Sequence, residues 1–146
     1  IFLAAALISF STGSSWSTMA ILYPIAIPIT YNMCISSGMD QASTLDVLYS
    51  VIATVLSASV LGDHCSPISD TTILSSLASD CNHLDHVKTQ MPYALIVGAV
   101  AFVCTGLSTI LGGSSFVTWF VFLLAVAVMY LIIRYYGKPV EDYQES

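Results

Sequence analysis

The sequence predicts an all-α membrane fold made of transmembrane helices, with a re-entrant hairpin at its start and one discontinuous helix in its middle. Three observations carry that prediction. First, 56% of the 146 residues are hydrophobic and only 8% are charged, with a mean hydropathy of +0.83, against roughly 25% charged in ordinary soluble domains. Second, apolar stretches of near-bilayer length recur along the chain, as helices crossing about 30 Å of hydrocarbon require. Third, two short polar breaks interrupt the apolar sequence, and non-helical backbone survives at membrane depth only where protein or water satisfies it.

Residues 1–35 form the first unit. A short apolar run to Phe10 stops at Ser11-Thr12-Gly13-Ser14-Ser15, whose hydroxyls compete locally for backbone hydrogen bonds. Hydrophobicity resumes at Trp16, and Pro24 and Pro28 each delete an intrahelical bond, which predicts a kinked or stepped run. Two traces remain open, a re-entrant hairpin with its tip at 11–15 and a single span broken at Gly13. Residues 36–44, with Gly38 and Asp40, read as an aqueous loop.

Residues 45–79 form the second unit, a discontinuous transmembrane helix. Its first part, 45–61, is about 25 Å long at 1.5 Å per residue, and the break occupies 62–69, Gly62-Asp63-His64-Cys65-Ser66-Pro67-Ile68-Ser69. Asp70 and the hydroxyl-rich 71–78 follow, then a polar segment to Gln90. Residues 91–133 make a helical hairpin turned at Gly112-Gly113-Ser114-Ser115, and 134–146 form a polar tail. Lys88 precedes that hairpin while Arg134 and Lys138 follow it, so the positive-inside rule puts these ends and the tail in the cytoplasm and the loop around Asp40 outside.

The breaks carry the chemistry. Ser11, Thr12, Ser14 and Ser15 in the first, and Asp63, Ser66, Ser69, Asp70 and Thr71 in and beside the second, offer oxygen ligands of the kind a hard cation such as sodium takes. An ionised carboxylate at mid-bilayer costs about 2.5 to 3.5 kcal/mol even on the lenient insertion scale, which makes Asp63 and Asp70 the sharpest signal. Pro67 breaks the helix between them, allowing both to converge on one cavity. Burial disfavours a charged carboxylate and a bound cation favours it. Sodium and protons would therefore compete for one site, which is the coupling an antiporter needs.

Each residue also has a plainer reading. Asp63 and Asp70 suit helix caps or first turns. His64 is a candidate proton relay, with a structural role equally open. Thr71, Thr72, Ser75, Ser76 and Ser79 could line an ion path or bond back to their own turns. Cys81, His83 and His86 have zinc-like spacing without a convincing fourth ligand. Four cysteines without CxxC spacing give no disulfide framework.

The stretch from Gly62 through Asp70 to Thr71-Thr72-Ile73-Leu74-Ser75-Ser76 resembles the signature of NhaC-type sodium/proton antiporters. Ser11-Thr12-Gly13-Ser14-Ser15-Trp16-Ser17-Thr18-Met19-Ala20, and His86-Val87-Lys88-Thr89-Gln90-Met91-Pro92-Tyr93, are similar to further segments of that family. The resemblance implies the ion transporter superfamily fold of inverted repeats, re-entrant hairpins and broken helices. This chain would be a C-terminal fragment carrying one half, with the partner repeat in a missing N-terminal half. It implies sodium/proton exchange across the cytoplasmic (plasma) membrane by a multi-pass protein, with malate or lactate exchange coupled to these ions as the alternative. No Lys or Arg lies in either break, which favours the first.

The expected partners are sodium and protons as substrates, the lipid bilayer, the missing half and, as a homo-oligomer, further copies of the chain. No cofactor is expected. Three Lys plus Arg give no basic stripe for nucleic acid, and no HExxH-like spacing supports a zinc hydrolase built on Asp63, His64 and Asp70.

Overall fold

A computed structural model describes residues 1–112 and 115–137, and within them the chain is six α-helices without a strand. These are α1 (Phe2–Thr12), α2 (Ser15–Ser36), α3 (Gln41–Cys65), α4 (Asp70–Ala78), α5 (His83–Ile110) and α6 (Ser115–Tyr136). Four helices, α2, α3, α5 and α6, are long and apolar enough to cross a membrane. With 11 residues, α1 reaches roughly 17 Å, about half a bilayer.

The small residues at 11–15 reverse the chain. Gly13 ends α1 in the left-handed region at φ 66°, ψ 20°, where a glycine meets no Cβ penalty. Ser14 then starts α2, its hydroxyl accepting from the Ser17 N–H at 3.3 Å, a side-chain N-cap. α2 continues as one helix through Pro24 and Pro28. Asp40 caps α3, accepting from the N–H groups of Ala42 and Ser43 at 3.1 and 3.3 Å. The Ser43 hydroxyl, then that residue's N–H, hold the Asp40 carboxyl below its usual range.

α3 is the central helix. α1 runs parallel to it, with Ser9 on Ser59, Phe10 against Gly62 and Gly13 against Ile68. α2 returns antiparallel, with Ser15 at Asp63 and the Tyr23 hydroxyl donating to the Ile52 carbonyl at 3.3 Å. On another side α5 also runs antiparallel, where Gly98 admits the Leu61 side chain and Phe102 packs on Phe2 at 5.3 Å between ring centroids. The apolar core is correspondingly small, Phe2, Ala5 and Ala58 with Ala6, Leu22, Leu61 and Ala101 around them. Trp16, Phe116 and most other large apolar side chains are exposed, a surface suited to lipid or to further protein.

The break is narrower than its sequence suggests. α3 continues through Gly62, Asp63, His64 and Cys65, and only residues 66–69 leave the helix. Gly62 is a packing glycine here rather than a helix terminator: a Cβ on it would collide with the Ala6 carbonyl and stand 2.6 Å from Ser9 Cβ. Pro67 sets the true end, because its ring forces Ser66 to extended geometry, φ −77°, ψ 130°. The last hairpin also starts earlier than residue 91. Asn82 accepts from the Leu84 N–H at 3.0 Å, and this cap lets the polar residues 83–90 open α5. Lys138 and the tail acids Glu141, Asp142 and Glu145 lie outside the described residues.

Candidate functional site where two breaks meet

The hairpin tip and the helix break touch. A Cβ on Gly13 would lie 2.8 Å from both the Ile68 carbonyl oxygen and Ile68 Cγ1, so only the bare backbone of a glycine fits between α1, α2 and the α3–α4 connection.

Beside this contact lies Asp63, 8% exposed in the last turn of α3. Its Oδ2 accepts from the Ser15 hydroxyl at 3.3 Å and its Oδ1 from the Ser69 hydroxyl at 2.5 Å. The Ser69 oxygen also lies 2.7 Å from Thr71 Oγ1. A hydroxyl has one hydrogen, and Ser69 gives its hydrogen to Asp63, so Thr71 is the donor in that second bond. Ser15 and Ser69 are themselves buried.

The electrostatics are one-sided. Among the described residues the ion pair present is the exposed Lys88–Asp85 contact at 3.9 Å, and none of them pairs a cation with Asp63. A buried carboxylate is tolerated when its charge is neutralised or paired. Two hydroxyl donors satisfy its hydrogen bonding but not its charge, which leaves the site suited to a proton or a small cation.

Other expected site residues are arranged differently. Ser66 is fully buried and its Oγ accepts from the Ile68 N–H at 3.4 Å, closing the break turn. Ser14 caps α2, and Thr12 Oγ1 lies 3.4 Å from Thr18 Oγ1 inside the tip. Ser11 is exposed and bonds back to the Leu7 carbonyl at 2.8 Å. His64 is exposed and directs Nδ1 to its own helix, 3.1 Å from the Val60 carbonyl. Asp70 heads α4 and is exposed. Thus Asp63, Ser15, Ser69 and Thr71 form one hydrogen-bonded group, and neither Asp70 nor His64 bonds to it.

Ser59 escaped the sequence reading, and Thr72, His83 and His86 take positions there that it did not assign. Ser59, one turn before Asp63, is fully buried and its hydroxyl has no hydrogen-bond partner; Thr72 Oγ1 is in the same condition. Their spacings, four before Asp63 and three after Ser69, are the signal that could have found them. His83 holds the break from the far side, with Nε2 at 2.6 Å from the Pro67 carbonyl and Nδ1 at 3.2 Å from Ser76 Oγ. His86 Nε2 lies 2.9 Å from Ser75 Oγ. Nothing in the spacing of a polar segment announces these long-range ties.

A family model described as "Na+/H+ antiporter family" matches residues 1–110, the whole of α1 to α5 and both breaks. A protein of Haemophilus influenzae, described as uncharacterized, is 44% identical over 97 residues, covering 66% of this chain and 17% of its own length. The arginine/ornithine antiporter ArcD of Halobacterium salinarum is 36% identical over 101 residues, covering 66% of this chain and 19% of its own. The chain therefore spans under a fifth of the length of these curated relatives. No solved structure matches.

Proposed function

The chain belongs to the Na+/H+ antiporter family, and from that premise we propose that it forms part of the ion-carrying core of an NhaC-type secondary antiporter in which Asp63 takes either sodium or a proton. The observation that carries this reading is the buried carboxylate of Asp63, paired with no cation among the described residues and held by hydroxyls from two separate helix breaks, Ser15 and Ser69. Sodium would sit between the carboxylate and the two hydroxyls, whose hydrogens turn away as their lone pairs contact the ion, while a proton would neutralise the carboxylate in its absence. Each ion excludes the other, so moving the site between the two sides of the membrane exchanges them.

Membership of a transporter family and four membrane-length apolar helices make this a multi-pass membrane protein and not an enzyme. We place it in the plasma membrane, with α1 and α2 as a re-entrant hairpin that enters and leaves on the outer side. The partner repeat would lie in the rest of a longer transporter. Asp70, Ser66, Ser11, Thr12 and Ser14 belong to the surrounding pathway in this reading, and His64 serves at most as an outer relay.

A second reading exchanges an organic cation, and one observation favours it: the Halobacterium salinarum relative is described as an arginine/ornithine antiporter. Malate or lactate exchange finds less support, because neither break contains Lys or Arg to hold a carboxylate. The test is exchange in vesicles containing the full-length transporter. Sodium-driven proton movement should be lost in Asp63→Asn, and arginine and malate gradients decide among the substrates. Undiminished exchange in Asp63→Asn would refute the carboxylate mechanism.

A further inference from the structure

A cavity of about 930 Å³ opens between the start of α1, the first half of α3 and the last third of α5. It lies toward the loop at residues 37–40 and away from Asp63: Asp46 on its wall precedes Asp63 by 17 residues, about 25 Å along the helix. At that separation the two carboxylates share no ligand and belong to different sites.

The polar part of the wall has an unusual chemistry. Asp46, Ser50 and Thr54 recur every four residues along α3, a single face, and Thr105, Ser108 and Thr109 come from α5. The hydrogens of these hydroxyls are largely spent within the helices. Ser50 donates to the Asp46 carbonyl at 2.9 Å, Thr54 to the Ser50 carbonyl at 2.7 Å, and Thr109 to the Thr105 carbonyl at 2.9 Å. A hydroxyl has one hydrogen and two lone pairs, so these three oxygens have only lone pairs left to offer the cavity. The Asp46 carboxylate adds acceptors and a negative charge, and no Lys, Arg or His lines the space. Among the described residues the wall's side chains thus offer chiefly acceptors, beside the Thr105 hydroxyl and the backbone N–H groups that open α1.

We propose that this cavity is a cation-collecting vestibule, with Asp46 as its charge and the hydroxyl oxygens of Ser50, Thr54 and Thr109 as its acceptors. Its ligand is a monovalent cation that brings its own positive charge and hydrogens, either hydrated sodium or the ammonium or guanidinium of an amino acid. Anions are disfavoured by the Asp46 charge. The step that follows collection rests on the antiport reading above, but the collection itself does not.

The experiment uses the full-length transporter with its native cysteines replaced and Thr54→Cys introduced, in vesicles. Two membrane-impermeant thiol reagents of opposite charge are compared, a trimethylammonium and a sulfonate methanethiosulfonate, each rate normalised to that of a free thiol. The cationic reagent should be favoured roughly tenfold at low ionic strength, the lower end of electrostatic focusing. Asp46→Asn should bring the ratio close to one. Sodium slowing the reaction at constant ionic strength identifies the alkali cation as ligand, and arginine slowing it identifies the organic cation. A ratio near one in the parent, a ratio that Asp46→Asn leaves unchanged, no labelling by either reagent, or protection by neither cation overturns the proposal. Asp63→Asn separates the two readings: it should stop exchange and leave the labelling ratio as it was. Exchange persisting in that variant defeats the antiport mechanism without touching the vestibule.

Discussion

Gly13 and Ile68 are in backbone contact, so that the hairpin tip between α1 and α2 rests on the only non-helical residues of the α3–α4 connection; a single methyl on Gly13 would stand 2.8 Å from the Ile68 carbonyl oxygen. The Ser15 hydroxyl reaches Asp63 from that same tip.

Gly13→Ala should therefore be severe for two additive reasons. The left-handed φ of 66° costs a non-glycine residue about 1 kcal/mol, and relieving overpacking typically costs a further 1 to 3 kcal/mol. Thermal unfolding of the full-length transporter in detergent should show a lowered midpoint. A midpoint equal to the parent's would show that the contact does not hold the tip in place.

Gly62→Ala should wedge α1 away from α3, again by about 1 to 3 kcal/mol, because Ser9 Cβ and the Phe10 nitrogen lie 2.6 and 2.7 Å from the added carbon. Gly106→Ala supplies the contrast. Nothing lies within 4 Å of that position, and alanine is the better helix former by about 1 kcal/mol. The first variant should melt earlier than the parent and the second no earlier.

The two aspartates of the signature should behave unequally. Asp63 is buried and doubly hydrogen bonded, whereas Asp70 is exposed at the head of α4. Asp63→Asn should abolish sodium-driven proton movement, while Asp70→Asn should retain most of it. Equal loss in both would point to a shared pair and against a single carboxylate.

Ser69→Ala removes the hydroxyl that reaches Asp63 Oδ1. Hydrogen bonds to charged groups contribute about 1.5 to 3 kcal/mol, so the apparent sodium affinity should fall by roughly tenfold or more. Ser11→Ala is the control, since the Ser11 hydroxyl bonds only to the Leu7 carbonyl of its own helix. Its apparent sodium affinity should change much less than that of Ser69→Ala, as suits a pathway residue that does not touch Asp63.

His83→Leu should loosen the break by leaving the Pro67 carbonyl without its 2.6 Å partner, at about 1 to 3 kcal/mol for an unsatisfied group. His83→Gln keeps an N–H donor and should recover most of the parent's exchange rate. If both variants transport alike, the histidine is not what positions the break.

The parts of this fold that follow from local chemistry were legible from the sequence. The small polar residues 11–15 announce an interruption, though not whether the chain reverses there. Pro67 announces a break because its ring dictates the geometry of Ser66. The apolar run of α3 was legible too, but its end was not. Gly62 looked like a terminator, and what keeps it helical is the backbone of α1, about fifty residues away in sequence. The same limit hid Ser59 and the role of His83, whose significance lies in the Ser9 hydroxyl that bonds the Ser59 carbonyl and in the Pro67 carbonyl. Asp63 stood out by charge alone. Its separation from Asp70 did not, because that depends on how 66–69 aims α4.

Asp63 stands on continuous helix, while Ser15 and Ser69 belong to two segments that begin anew beside it. An ion held by all three would act as a non-covalent staple joining three stretches of chain. Its free energy of binding would then double as local folding free energy. Amide hydrogen exchange at residues 13–17 and at Ser66, Ile68 and Ser69 would slow as the staple closes and quicken as it opens, making backbone protection a gauge of occupancy.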